Sequence, residues 1–257
     1  MTEPALLPRI LVTNDDGIHA PGLKVLERIA RHLAREVWVC APEVEQSGAG
    51  HSLTLRRPLR LRTLAKRRFA VDGTPTDCVL LAIKVAMRGK PPTLVLSGVN
   101  RGANLGEDVT YSGTIAAAME ATLLGVPAVA LSLEATSGQD PDWHCPEHLA
   151  PALLRRLLAV GWPDSVLLNV NFPNRRPAEV TGVAVTRQGR RKLGEQIEGR
   201  IDTRGEHYYW IGPVRAEEGD PAGTDLEAIR EGKVSITPLH LDLTHPATAA
   251  RLASALS

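Results

Sequence analysis

Between residues 10 and 170, short apolar runs alternate with stretches whose apolar residues recur every three or four positions. Residues 10–12, 37–40, 94–96, 129–131 and 166–170 are β-branched or leucine-rich and bounded by Gly, Pro, Asn or Asp, the texture of buried strands. Residues 23–33, 77–87, 115–124 and 148–159 carry helical spacing instead. Few architectures accept this alternation, because parallel neighbouring strands need long crossovers that lay helices on both faces of the sheet. The expectation is an α/β fold: a Rossmann-like, doubly wound, mostly parallel sheet forming a catalytic core over residues 1–173.

After Asn171-Phe172-Pro173 the texture changes. Residues 183–186, 208–211 and 234–237 read as extended β arms joined by long Gly-, Arg- and Glu-rich connections, and the alanine-rich stretch 246–256 is compatible with a terminal helix. Residues 174–257 hold too little apolar material to form a compact domain alone, so they are expected to pack on the core or on another subunit. A homo-oligomer follows as an expectation.

Composition excludes several classes. A formal net charge of +1 argues against a general nucleic-acid binder, which depends on many phosphate contacts, and 4% aromatic residues leave little for a base-stacking platform. The basic runs Arg56-Arg57, Lys66-Arg67-Arg68 and Arg190-Arg191-Lys192 read as solvated surface. Cys40, Cys78 and Cys145 are widely spaced, fitting reduced core thiols rather than a disulfide framework or zinc knuckle. No apolar run approaches the roughly 20 residues of a membrane span, and residues 1–9 lack the pattern of a signal peptide, so the expectation is a soluble cytoplasmic protein with no membrane contact.

The chemistry concentrates where strands end. The first apolar run stops at Asn14-Asp15-Asp16-Gly17, in the position where ligands bind a parallel α/β sheet. Neighbouring strand side chains face opposite ways, so Asp15 and Asp16 converge on one ion only if the backbone has already left the strand, a turn that Gly17 permits. The alternative is an ordinary acidic turn chosen for its conformation. The second loop holds Gln46-Ser47-Gly48-Ala49-Gly50-His51-Ser52, and the third runs Ser97-Gly98-Val99-Asn100-Arg101-Gly102-Ala103-Asn104-Leu105-Gly106. Tyr111-Ser112-Gly113-Thr114 opens a helix, where Ser112 serves either as a cap alone or as part of a phosphate seat made of free N–H groups and hydroxyls.

Two carboxylates, a hydroxyl and an amide oxygen form a hard, all-oxygen set suited to Mg²⁺ or Mn²⁺ rather than zinc. The histidines show neither metal spacing nor a paired nucleophile, and no G-x-S-x-G elbow, Walker loop or G-x-G-x-x-G fingerprint occurs at the required place. Water activated by a metal is therefore the candidate nucleophile. A non-catalytic nucleotide- or anion-sensing module using the same loops is the competing reading.

These segments together, with Ala20-Pro21-Gly22, Gly73-Thr74-Pro75-Thr76-Asp77-Cys78-Val79, Asn169-Val170-Asn171-Phe172-Pro173, Tyr209-Trp210-Ile211-Gly212 and Ser235-Ile236-Thr237-Pro238-Leu239, resemble the SurE family of metal-dependent survival-protein phosphatases over almost the whole chain. The resemblance implies a 5'- and 3'-nucleotidase acting on nucleoside monophosphates, with some activity on short polyphosphate. It implies one divalent metal ion per subunit, held by Asp15, Asp16, Ser47 and Asn100, with Asp15 and Asp16 catalytic. Asn104, Ser112, Gly113 and Thr114 match the phosphate-side positions. It further implies a C-terminal extension exchanged between subunits in a dimer or tetramer.

Overall fold

In the computed structural model, which describes residues 6–135, 140–191, 197–211 and 222–257, the first strand β1 (Leu7–Thr13) already sets a layered arrangement. Ile10 and Val12 pack into one apolar cluster and Leu11 into the other, as the twofold alternation of strand side chains requires. Four helices cover the two faces: α1 (Pro21–Arg31), α2 (Pro75–Leu81), α3 (Gly113–Leu123) and α4 (His144–Val160). α1 and α4 contribute Leu23, Leu26, Ile29, Leu153 and Leu154 to the first cluster, whereas α2 and α3 contribute Cys78, Val79, Ile115 and Ala118 to the second.

The remaining strands are β2 (Ala34–Pro42), β3 (Leu61–Ala65), β4 (Arg68–Val71), β5 (Leu94–Arg101), β6 (Ala128–Leu133), β7 (Val166–Phe172), β8 (Gly182–Val185), β9 (Ile197–Ile201), β10 (His207–Ile211) and β11 (Lys233–His240). Among the described residues, nine of the strands form one sheet in the order β3-β4-β2-β1-β5-β6-β7-β11-β8. β4, β2, β1, β5, β6 and β7 run parallel, while β3 and β11 are antiparallel to their neighbours β4 and β7. From β1 the chain proceeds to β2 on one side, and from β5 it proceeds to β6 and β7 on the other. The β1/β5 junction is thus the topological switch point, where loops diverge and leave a crevice at the strand ends.

Several elements differ from the sequence expectation. α2 begins at Pro75, because Thr74 accepts from the Asp77 N–H and Asp77 accepts from the Thr74 N–H in a capping box one turn before the apolar spacing starts. Its continuation, Ala82–Ala86, widens to a π-helix closed by the Met87 N–H on the Ala82 carbonyl at 2.8 Å. α4 starts at His144 rather than 148, since Pro146 falls in the first turn, where its missing N–H has no intrahelical role. The Lys66-Arg67-Arg68 run is the turn of a β3–β4 hairpin, in which Arg67 pairs with Glu36 and Arg68 with Glu27.

The segment after 173 also divides. β8 and β11 join the main sheet, with Val234 and Ile236 buried in its core, and the short helix α5 (Asp225–Arg230) lies against β11. The β9–β10 hairpin pairs only with itself, and every residue of it is exposed. The terminal helix α6 (Pro246–Leu256) buries none of its residues. No helix among the described residues is long and apolar enough to cross a membrane.

Candidate active site at the sheet switch point

The site grows from the ends of β1 and β5. Beyond Thr13 the backbone leaves the sheet, and Gly17 takes a φ of 99°, a conformation that favours glycine. The pairing of β5 with β6 shifts register between Ser97 and Asn100, an irregularity that re-aims the residues beyond it. α1 crosses close behind, and Gly22 is required there because a Cβ would sit 1.9 Å from the Val99 carbonyl oxygen.

α3 approaches from the other side of Asp15. A Cβ on Gly113 would lie 2.7 Å from the Asp15 Cβ, so only glycine lets the helix N-terminus meet the acid. Ser112 caps the helix by accepting from the Ile115 N–H at 3.1 Å. The Thr114 hydroxyl is fully buried and donates to Asp15 Oδ1 at 2.5 Å, and the Thr114 backbone N–H also supports that carboxylate. Thr114 therefore serves Asp15 directly. The helix terminus expected to face phosphate with all its donors gives part of them to the acid.

The second loop is tied down at three points. Gln46 donates its N–H to the Asp15 carbonyl at 2.8 Å, Gly50 donates to the Tyr111 carbonyl at 3.0 Å, and His51 Nε2 lies 3.0 Å from Glu120 Oε2 on α3. Glu120 lies 69 residues from His51 in the chain. The Ser47 hydroxyl donates to Glu45 at 2.8 Å, which leaves its oxygen lone pairs for another ligand. In the third loop the Asn100 side-chain amide donates to the Gly102 carbonyl at 2.8 Å, and Oδ1 receives no hydrogen bond among the described residues.

Asn104 is clamped from behind. Its N–H donates to Asn171 Oδ1 at 2.8 Å, its side chain donates to Ser132 Oγ at 2.8 Å, and its carbonyl accepts from both Asn169 and Asn171. These groups are buried, and buried amides persist only when their partners are supplied. The network explains why two asparagines stand in the middle of β7.

Asp15, Ser47, Asn100, Asn104 and Ser112 line one cavity of about 380 Å³, together with Arg101, Asp108, Tyr111 and Arg191. Asp16 opens on an adjoining cavity of about 460 Å³ that shares Ser47 and Arg101 with the first. Gly113 and Thr114 stand behind Asp15. Arg191 corrects the expectation of a solvated basic run: it forms an ion pair with Asp108 and joins the cavity wall, whereas Arg190 is exposed and Lys192 lies outside the described residues.

The electrostatics are those of an uncompensated acidic pair. Burial pushes the Asp15 carboxyl above its ordinary range despite the Thr114 hydrogen bonds. Burial, and then the negative charge of Asp15, push Asp16 up to about 7. Glu45 adds further negative charge against both, while Arg101 opposes it weakly at Asp16. Among the described residues no group of three His, Cys, Asp or Glu is arranged for a metal ion, so a ligand set here consists of two carboxylates completed by neutral oxygens. Ser47 and Asn100 present such oxygens, and the donor chemistry fits a hard divalent cation.

The family model described as Survival protein SurE matches residues 10–195. The chain belongs to the SurE family. A protein described as 5'-nucleotidase SurE from Paramagnetospirillum magneticum is 61% identical over 245 residues, spanning 95% of this chain and 94% of that one. A protein of the same description from Parvibaculum lavamentivorans is 57% identical over 251 residues, spanning 96% and 91%. The crystal structure of SurE protein from Aquifex aeolicus matches with a TM-score of 0.85 at 40% identity, over 97% of this chain and 100% of that chain. The doubly wound sheet with its terminal helix is thus the architecture of a SurE protein.

A consequence for the metal-free SurE fold follows from Asp16. A carboxyl whose folded-state pKa exceeds its ordinary 3.8 holds its proton more tightly in the folded chain, so stability falls as pH rises from about 4 through 7. In chelated protein, Asp16→Asn should raise Tm at pH 8 by about 3–6 °C, with the gain disappearing near pH 4. Differential scanning fluorimetry across pH checks this, and a variant that melts below wild type at pH 8 would contradict the repulsion.

Proposed function

We propose that this chain is a divalent-metal-dependent phosphomonoesterase that hydrolyses nucleoside 5'- and 3'-monophosphates to nucleoside and phosphate, with short polyphosphate as a further substrate. The observation that carries the reading is buried Asp15, set against the N-terminus of α3 in a cavity of nucleotide size, with half-buried Asp16 next to it on the adjoining cavity. The relatives described as 5'-nucleotidase SurE, identical at more than half of the aligned positions, support a nucleotide phosphatase.

In this reading Asp15, Asp16, Ser47 and Asn100 hold one Mg²⁺ or Mn²⁺ ion per subunit. When bound, the ion offsets phosphate charge and activates water as the nucleophile. Ser112, the N–H of Gly113 and the side chain of Asn104 orient the phosphoryl group, whose charge the N-terminus of α3 stabilises. Thr114 acts one step back, fixing the Asp15 carboxylate by its hydroxyl. Water adds to phosphorus as the bond to the nucleoside oxygen breaks; one proton of that water passes to the nucleoside oxygen, which leaves as a hydroxyl, and the remaining O–H stays on the phosphate. We take residues 1–173 as the catalytic core and 174–257 as the extension. The three free, buried thiols suit a reducing cytoplasm.

The same reading includes a homo-dimer or tetramer. A two-stranded hairpin is marginal alone, yet β9 and β10 present Ile197, Ile201, Tyr209, Trp210 and Ile211 to solvent, with Trp210 61% exposed. A second copy of the chain is the occupant proposed to cover them.

Two experiments test these assignments. Phosphate release from a nucleoside 5'-monophosphate should vanish in EDTA, return with Mn²⁺ or Mg²⁺, and be lost in Asp16→Asn; full activity in metal-free buffer would overturn the metal assignment, and no release under any condition would favour a sensing module. Light scattering of the full chain at micromolar concentration should give the mass of a dimer or tetramer, against which a fully active monomer would count decisively.

A further inference from the structure

The phosphate-side groups occupy only part of the cavity, and the rest of its wall has a different chemistry. Tyr111 lies at its rim, directly before the Ser112 cap and after the turn Gly106–Thr110, and the residue is 46% exposed. Among the described residues the stacked ring pair is Trp38 with Phe69, and the cation resting on a ring is Arg67 on Trp38, so the faces of Tyr111 carry neither kind of partner. An aromatic ring left open beside a phosphate seat is a surface for another flat ring.

Arg191 completes this wall from the C-terminal extension. Its Nε donates to Asp108 Oδ2 at 2.9 Å and its Nη2 donates to the Ala103 carbonyl at 3.0 Å, while Nη1 makes no hydrogen bond among the described residues. The guanidinium is therefore held flat and in place. Its charge is already matched by Asp108, which is 6% exposed and whose Oδ1 is buried without a partner. A neutralised guanidinium–carboxylate pair is poorly suited to a second phosphate. It suits a neutral heteroaromatic ring that stacks its face on the guanidinium plane.

We propose that Tyr111 and Arg191 form the nucleobase subsite of the cavity, taking the ring of a purine or pyrimidine nucleoside while the phosphate lies at Ser112. The assignment rests on the phosphatase reading and deepens it. It gives the extension a part in substrate recognition, because the segment carrying Arg191 is locked to the core: Gln188 donates to the Gly106 carbonyl at 2.9 Å, and Asp225 accepts from Gly106 and Gly189 at 2.9 and 2.8 Å.

The test compares a nucleoside 5'-monophosphate with ribose 5-phosphate, which keeps the sugar phosphate and lacks the base. Wild type should favour the nucleotide in kcat/KM. Tyr111→Ala should lower kcat/KM for the nucleotide about tenfold and leave ribose 5-phosphate within about twofold, while Tyr111→Phe keeps the preference. Arg191→Gln, tested independently of the ring, should also erode it. A wild type with no preference, variants with an unchanged ratio, or an equal fall on both substrates would overturn the base assignment alone. Release from neither substrate by wild type would overturn the phosphatase reading itself, and the subsite with it.

Discussion

The contact on which the rest of the site depends is the approach of the α3 N-terminus to Asp15. It joins two elements 98 residues apart in the chain, since Gly113 packs against an acid that ends β1. A buried carboxylate is costly unless its charge is answered. Here the answer comes from the Thr114 hydroxyl and N–H, aided by the positive end of the helix, and it is insufficient, because burial still drives the proton affinity of Asp15 upward. With Asp16 beside it the imbalance grows. An acidic pair kept at such a cost to the fold is consistent with a cation that offsets it, and the strain is the kind that accumulates where function demands it.

Around that contact the structure is arranged to prevent retreat. Gly22 lets α1 close on the Val99 backbone, while Gly98, at a φ of 128°, lets β5 pass close to the Leu131 carbonyl. The Ser47 loop is pinned to Asp15, to Tyr111 and, through His51, to Glu120 further along α3. Behind the third loop, Asn169 and Asn171 of β7 and Ser132 of β6 hold Asn104 at both its backbone and its side chain. Asp225 then bolts the extension to the same loop. Losing one buried partner of this kind leaves another unsatisfied, a penalty of about 1–3 kcal/mol.

The central part of the sheet was legible because hydrophobic period is a local property. β1, β5, β6 and β7, with the helices between them, carry it without interruption. β3 was hidden because Leu61-Arg62-Thr63-Leu64-Ala65 is flanked by arginines and reads as a basic surface until β4 pairs with it. β9, with Glu198 and Arg200 on either side of Gly199, gives no strand signal, and α5 is only six residues long. In the site, Asp15 and Asp16 stand out as adjacent acids at a strand end, whereas Ser47 and Asn100 enter the proposed ligand set through the family resemblance. Three relationships could not be read from the sequence: Thr114 with Asp15, Arg191 with Asp108, and His51 with Glu120. Each joins residues between 69 and 99 positions apart, and a residue type alone does not reveal its distant partner.

Under the proposed function, the two acids that follow β1 hold a divalent ion against a phosphate seat. Anomalous diffraction from crystals soaked in Mn²⁺ tests it most directly, because it locates the ion without reference to activity. One strong peak per subunit is expected within ligating distance of Asp15 and Asp16, with oxygens of Ser47 and Asn100 nearby, and no such peak in Asp16→Asn crystals. A wild-type map that is empty there, or one with the ion bound elsewhere on the chain, would contradict this assignment.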